Sequence, residues 1–178
     1  MPTAATSYRP YCTAPQYLLR FGAAEATMLL QDEERTLEEP WLRAIVHEQS
    51  DVLAELSADE LAATDAALAR LNQGLRSCAL YIDGYLRRGA VLLPLTDAQR
   101  EQTDLETCNA ELTRCWLMDD ADNATEIAEK RCDKQRKWLT DISTRKVQLF
   151  PDQSTASASV GLTRHGIGRS GLDWENYP

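Results

Sequence analysis

The feature that most constrains this chain is a single capped, periodic stretch in its middle third. Ser57-Ala58-Asp59-Glu60 is a capping box, in which the Ser hydroxyl and the Glu carboxylate each satisfy a free amide of a helix start. Behind it Leu61, Leu68, Leu71, Leu75, Cys78, Ile82 and Tyr85 recur at spacings of three, four and seven, which lays one apolar stripe along a helix. Arg87 and Arg88 suit a helix C-terminus, and Gly89 is the stop signal. The spacing predicts a helix over 58–88, about 45 Å long. A helix of that length cannot cover its own stripe, so other elements must pack along it.

The flanks supply those elements. Thr13 reads as an N-cap with Pro15 in the first turn, predicting a helix over 14–21 that ends at Gly22, followed at once by a helix over 23–30. Trp41, Ile45, Leu53 and Leu56 predict one amphipathic helix, after a break before Pro40. Ala90-Val91-Leu92-Leu93-Pro94-Leu95 is an apolar connector with some strand character. Thr96 or Thr103 starts the next helix, with Leu105, Cys108, Leu112, Cys115 and Trp116 on one face. Asp119–Asn123 is a turn. A helix over about 125–144 turns Ile127, Trp138, Leu139 and Ile142 inward, and Lys146–Phe150 is expected to add a short strand. The expected fold class is mainly α: a small helical bundle around a long central helix. Leu75, Ile82, Leu112, Trp116, Trp138 and Ile142 are its inter-helix core. The expected divisions are an arm over 1–12, a helical core over 13–150 and an extended tail over 151–178.

Charge and cysteine usage narrow the function. Lys plus Arg is 19 and Asp plus Glu is 28, a formal net charge of −9. That balance argues against gripping nucleic acid, which needs clustered cations. The longest apolar run, Gly89 to Leu95, is far short of the roughly 20 residues a bilayer requires. Met1–Ala5 does not read as a secretion signal. Cys12, Cys78, Cys108, Cys115 and Cys132 are therefore expected as free thiols in a reducing cytoplasm.

Apparent signatures of chemistry fail on their physical requirements. Gly166-Ile167-Gly168-Arg169-Ser170-Gly171 fits G-x-G-x-x-G, but only seven residues follow it, too few for the helix and the acidic residue of a dinucleotide site. Asp120 to Arg131 can be laid on an EF-hand loop. Ala124, Thr125 and Arg131 then stand where a ligand, the glycine and the bidentate Glu are needed. Cys108 and Cys115, seven apart on one helix, lie about 10 Å apart along the axis, too far for a disulfide. His47 and His165 have no nucleophile tied to them. The expectation is no enzyme, no cofactor and no metal.

One cluster stands out. Leu172-Asp173-Trp174-Glu175-Asn176-Tyr177-Pro178 places Leu172, Trp174 and Tyr177 after a polar, Ser-, Thr- and Gly-rich stretch. Aromatic anchors carry binding energy at interfaces, so these three residues are expected to bind a partner.

The order of elements resembles the Mu-like phage virion protein family whose members act as head–tail connectors, or adaptors. Tyr17–Gly22 is similar to its opening helix and glycine. Tyr81–Leu86 followed by Leu93-Pro94-Leu95 is similar to its long helix and Pro-containing connector. Asp104–Trp116 is similar to its second core helix, and Arg136–Ile142 followed by Lys146–Leu149 to its last block. Two features depart from it: residues 31–56 form a longer, variable insertion, and Cys132 stands at a position where a larger aromatic is expected. The resemblance implies a homo-oligomeric ring, usually of twelve copies, at the virion neck and assembled in the host cytoplasm. Its implied partners are the portal protein and a tail-side stopper or tail completion protein. DNA passes through the lumen without specific binding, and an acidic lumen would repel its phosphates. The alternatives are a soluble helical protein-interaction module of bacterial origin and a thiol-dependent enzyme, which requires a cysteine of depressed pKa.

Overall fold

The computed structural model describes residues 8–31, 36–118 and 126–150. Among them are the helices α1 (Ala14–Phe21), α2 (Ala23–Leu30), α3 (Glu39–Val46), α4 (Ser50–Leu53), α5 (Ala58–Arg88), α6 (Asp97–Glu101), α7 (Leu105–Leu117) and α8 (Glu126–Ser143). The fold is mainly helical and organised on α5.

Local chemistry starts these helices. Glu60 Oε2 accepts from the Ser57 amide at 2.7 Å, and Ser57 Oγ accepts from the Glu60 amide at 3.4 Å. Thr96 and Gln99 repeat that reciprocal box at α6, at 2.9 and 3.3 Å. Gln16 Oε1 accepts from the Thr13 amide, and its Nε2 reaches Glu106 of α7 at 2.8 Å, so one residue both starts α1 and ties it across the bundle. Gly22 joins α1 to α2 at φ 84° and ψ 151°, a conformation in which a side chain would be strained.

The single helix expected over 41–56 is broken in two. α3 ends at Val46, Glu48 adopts a left-handed φ of 56°, and the four residues of α4 bury nothing. α3 packs against α5 through Leu42 and Val46. No strand forms among the described residues. Neither the connector 90–95, which contains a cis Leu93–Pro94 peptide, nor the segment 146–150 is a strand. The turn at Asp119–Asn123 and the whole of 151–178 lie outside the described residues, as do the G-x-G-x-x-G segment and the first half of the EF-hand-like loop.

The core has two lobes along α5. Its stretch up to Leu75 contributes Ala67, Leu71 and Leu75 to a lobe with Tyr17 and Leu18 of α1, Leu29 and Leu30 of α2, and Leu42 and Val46 of α3. Its second half contributes Cys78, Ala79, Ile82 and Leu86 to a lobe with Leu105, Cys108 and Leu112 of α7 and Leu139 and Ile142 of α8. Asn109 of α7 joins the segment before α1 to α5 at the first lobe. It is fully buried, accepts from the Cys12 amide at 2.9 Å and donates to the Leu75 carbonyl at 3.0 Å.

Leu75, Ile82, Leu112 and Ile142 are buried, and Trp138 is half-buried against the second lobe. Trp116 is 37% exposed, at the rim. Ile127, expected inward, is 68% exposed. The buried stripe of α8 runs through Ala128, Cys132, Leu139 and Ile142, and the 100° step between neighbouring helical residues turns Ile127 off it.

Candidate partner-binding surface

Two constellations stand out on this scaffold, and neither belongs to one stretch of sequence. The first pins the N-terminal arm. Asp83 lies on the buried face of α5, toward its C-terminal end, and is 4% exposed. Its Oδ2 accepts from the Tyr8 hydroxyl at 3.0 Å and its Oδ1 from the Tyr11 hydroxyl. Burial and the Asp83 charge together push both phenols far above their ordinary pKa. Arg100 closes the clasp from α6. Its Nη1 and Nη2 donate to the carbonyls of Pro10 and Arg9 at 3.1 and 3.2 Å, and its guanidinium lies 4.8 Å from the Tyr11 ring centroid. Residues 8–12 are thus a fixed strap joining α5, α6 and α7. In the sequence they read as an extended arm without a partner. The available signal was a carboxylate, Asp83, set between Ala79, Ile82 and Leu86 on an otherwise apolar face.

The second constellation is an open groove between α5, α7 and α8, with a volume of about 360 Å³. Ser77, Cys78, Tyr81, Leu112, Cys115, Trp116 and Arg136 line it. Trp116 can approach α5 closely there because residue 74 is glycine: a Cβ at Gly74 would stand 2.8 Å from Trp116 Cε3. Tyr81 is 44% exposed, and its hydroxyl shares a hydrogen bond of 2.9 Å with that of Tyr85. This bond, with burial, raises the Tyr81 pKa, and the nearby cations Arg136 and Arg88 oppose the rise. Arg88 lies 5.3 Å from the Tyr85 ring centroid. In a chain of net charge −9, the groove combines exposed aromatic rings with two cations at its edge.

Cys115 also fastens this groove. It is joined to Cys132 of α8 as a disulfide across a Cα–Cα separation of 6.5 Å. This corrects the expectation of five free thiols. Cys12, Cys78 and Cys108 are free and buried, and Cys108 takes no part in a bond with Cys115. The pair could not be read from spacing, because its partners face each other across two helices. Cys132 fills a buried position between α7 and α8 where an aromatic had been expected. The purified chain should titrate three thiols with a disulfide reagent in denaturant, and five after reduction by dithiothreitol. Five before reduction would contradict the bond.

The three free thiols are buried away from solvent. Burial pushes the Cys12 and Cys108 thiols up to about 12 and raises Cys78 as well. That holds all three as protonated, poor nucleophiles. No group of three or more His, Cys, Asp or Glu residues that could hold a metal ion exists among the described residues. None of the described helices is long and apolar enough to cross a membrane. The expected anchors Leu172, Trp174 and Tyr177 lie outside the described residues.

No curated protein and no solved structure matches the chain. A family model does match it: that described as bacteriophage Mu, Gp36, over residues 11–163. The match runs from the end of the Tyr8–Cys12 strap through every helix of the bundle, and on this evidence the chain belongs to the bacteriophage Mu Gp36 family.

Proposed function

We propose that this protein is a structural component of a Mu-like phage virion, the head–tail connector subunit that forms a ring below the portal, joins capsid to tail and lets DNA pass. The observation that supports this most is the family match over residues 11–163, carried by a fold whose parts suit assembly. The disulfide, the Asp83 clasp and the Asn109 bridge make a stiff subunit, and the aromatic groove leaves a surface to be covered. The protein performs no chemistry in this reading. Its partners are further copies of itself, the portal protein and a tail-side completion protein. The net charge of −9 suits a lumen that must not hold DNA phosphate.

The C-terminal anchors Leu172, Trp174 and Tyr177 fasten the subunit to the portal or to a neighbour. Truncation after Phe150 is expected to abolish incorporation into virions while leaving the circular dichroism of the helical core unchanged. Immunogold labelling of wild-type particles should mark the neck. Label on the tail tip, or normal particles from the truncated gene, would refute the proposal.

A further inference from the structure

We propose that the groove between α5, α7 and α8 is the resting berth of this chain's own Leu172–Tyr177 segment, which docks there within the same molecule before a partner claims it. The inference rests on the connector reading above and adds a receptor surface and a state to it.

Three observations meet here. The groove has the chemistry to receive an aromatic side chain. Tyr81 and Trp116 stand 44% and 37% exposed at a cavity of about 360 Å³ whose other apolar wall is Leu112. Exposed aromatics clustered around a concavity mark a binding surface rather than a solvated face. Second, its charge selects among occupants. Arg136 lines the groove and Arg88 caps the adjoining Tyr81–Tyr85 pair, while Asp133 is the one acidic side chain bonded to Arg136, at 3.2 Å on an exposed part of α8. An occupant should therefore combine an aromatic ring with carboxylates. Leu172-Asp173-Trp174-Glu175-Asn176-Tyr177 offers Trp and Tyr alternating with Asp and Glu, and no cation. Third, the connection is long enough and starts nearby. Phe150 packs against the lobe that also holds Cys78 and Leu112. Residues 151–171 can span about 70 Å when extended, more than the length of α5.

Tethering favours the same molecule over a second copy. A covalent link of this length holds its end at an effective concentration on the order of millimolar, so a shallow groove with a modest intrinsic affinity is enough. Docked there, the anchors would be withheld from premature contacts and released when a deeper site competes for them. The disulfide from Cys115 to Cys132 keeps the α7 and α8 walls of the berth in register.

The test is photo-cross-linking in the dilute full-length chain with a benzophenone amino acid in place of Trp174. Cross-links are expected within single chains, to peptides containing Ser77–Tyr85 or Leu112–Trp116. Arg136→Glu, on an exposed side chain, should lower their yield about fivefold, and Arg9→Glu should not. Links joining two chains would overturn the proposal in favour of a second copy as occupant. Links scattered over other faces, or none, would overturn it outright. Because the readout is taken on the isolated chain, absence of the protein from the virion neck would refute the connector reading without altering it.

Discussion

Asp83→Ala is expected to destabilise the protein by about 3–4 kcal/mol and to lower its melting temperature by ~10 °C. The carboxylate is buried and accepts from two phenols, Tyr8 and Tyr11. Hydrogen bonds to a charged acceptor contribute about 1.5–3 kcal/mol each, and the sum is reduced because the variant no longer buries a charge. Removal also strands two hydroxyls against an apolar helix face and frees the strap that carries Cys12 to Asn109. Tyr8→Phe, at the more exposed of the two phenols, should cost about 1 kcal/mol. An Asp83→Ala protein as stable as wild type would show that the strap contributes nothing to the fold.

The clasp also sets the response to alkali. In an unfolded chain tyrosines ionise near pH 10, whereas burial first and Asp83 second hold Tyr8 and Tyr11 well above that in the fold. Above about pH 10 the unfolded state releases protons that the folded state keeps, so unfolding becomes easier as pH rises. Stability contributed by these groups is complete below the unfolded value and lost toward the folded one. Spectrophotometric titration should find Tyr8 and Tyr11 silent until the protein unfolds. In Asp83→Ala the alkaline decline should be shallower, because the anion that opposes ionisation is gone.

Gly84 within α5 and Gly89 at its C-cap should respond to an added side chain in opposite directions. A Cβ at Gly89 would stand 2.7 Å from the backbone oxygen of Ile142 in α8 and 3.3 Å from its carbonyl carbon. Backbone cannot move aside as a side-chain tip can, so Gly89→Val must push α8 off the end of α5. Overpacking of this kind costs about 1–3 kcal/mol, and the branched side chain against main chain places Gly89→Val at about 3 kcal/mol. At Gly84 an added Cβ meets nothing within 4 Å. There Gly84→Ala should gain about 0.5–1 kcal/mol, because alanine stiffens the unfolded chain and suits a helix interior. Chemical denaturation of the two variants beside wild type decides the matter. Equal and small effects would mean that α5 and α8 do not approach as closely as the structure shows.

Gly89 illustrates how much could be read from sequence alone. It was legible as a helix stop after Arg87 and Arg88, and α5 does end at Arg88. Its second role, admitting the Ile142 carbonyl, depends on a residue more than fifty positions away and left no local trace. The same division holds elsewhere. α1, α2, α5 and α8 fall within a residue of their expected bounds, because caps and periodicity are written within a few neighbouring residues. The break at His47–Gln49 was not legible, since Trp41, Ile45, Leu53 and Leu56 keep a helical spacing across it. The candidate surface was least legible. Trp116 was assigned to the core because it shares a helix face with Leu112, and only the packing of α8 shows that this face has a rim.

By itself the sequence determined a mainly helical chain built on one long capped helix, since those choices follow from backbone amides and from side chains three or four residues away. Only the tertiary structure decided which of its polar groups hold the fold together. Asp83 meets Tyr8 and Tyr11, Asn109 meets Cys12 and Leu75, and Cys115 meets Cys132 across separations of 17 to 97 residues. A buried polar group must find its partner in space, and local spacing carries no information about which distant residue that will be. The long helix therefore stands as expected, with a buried carboxylate, Asp83, near its C-terminal end that its apolar stripe did not foretell.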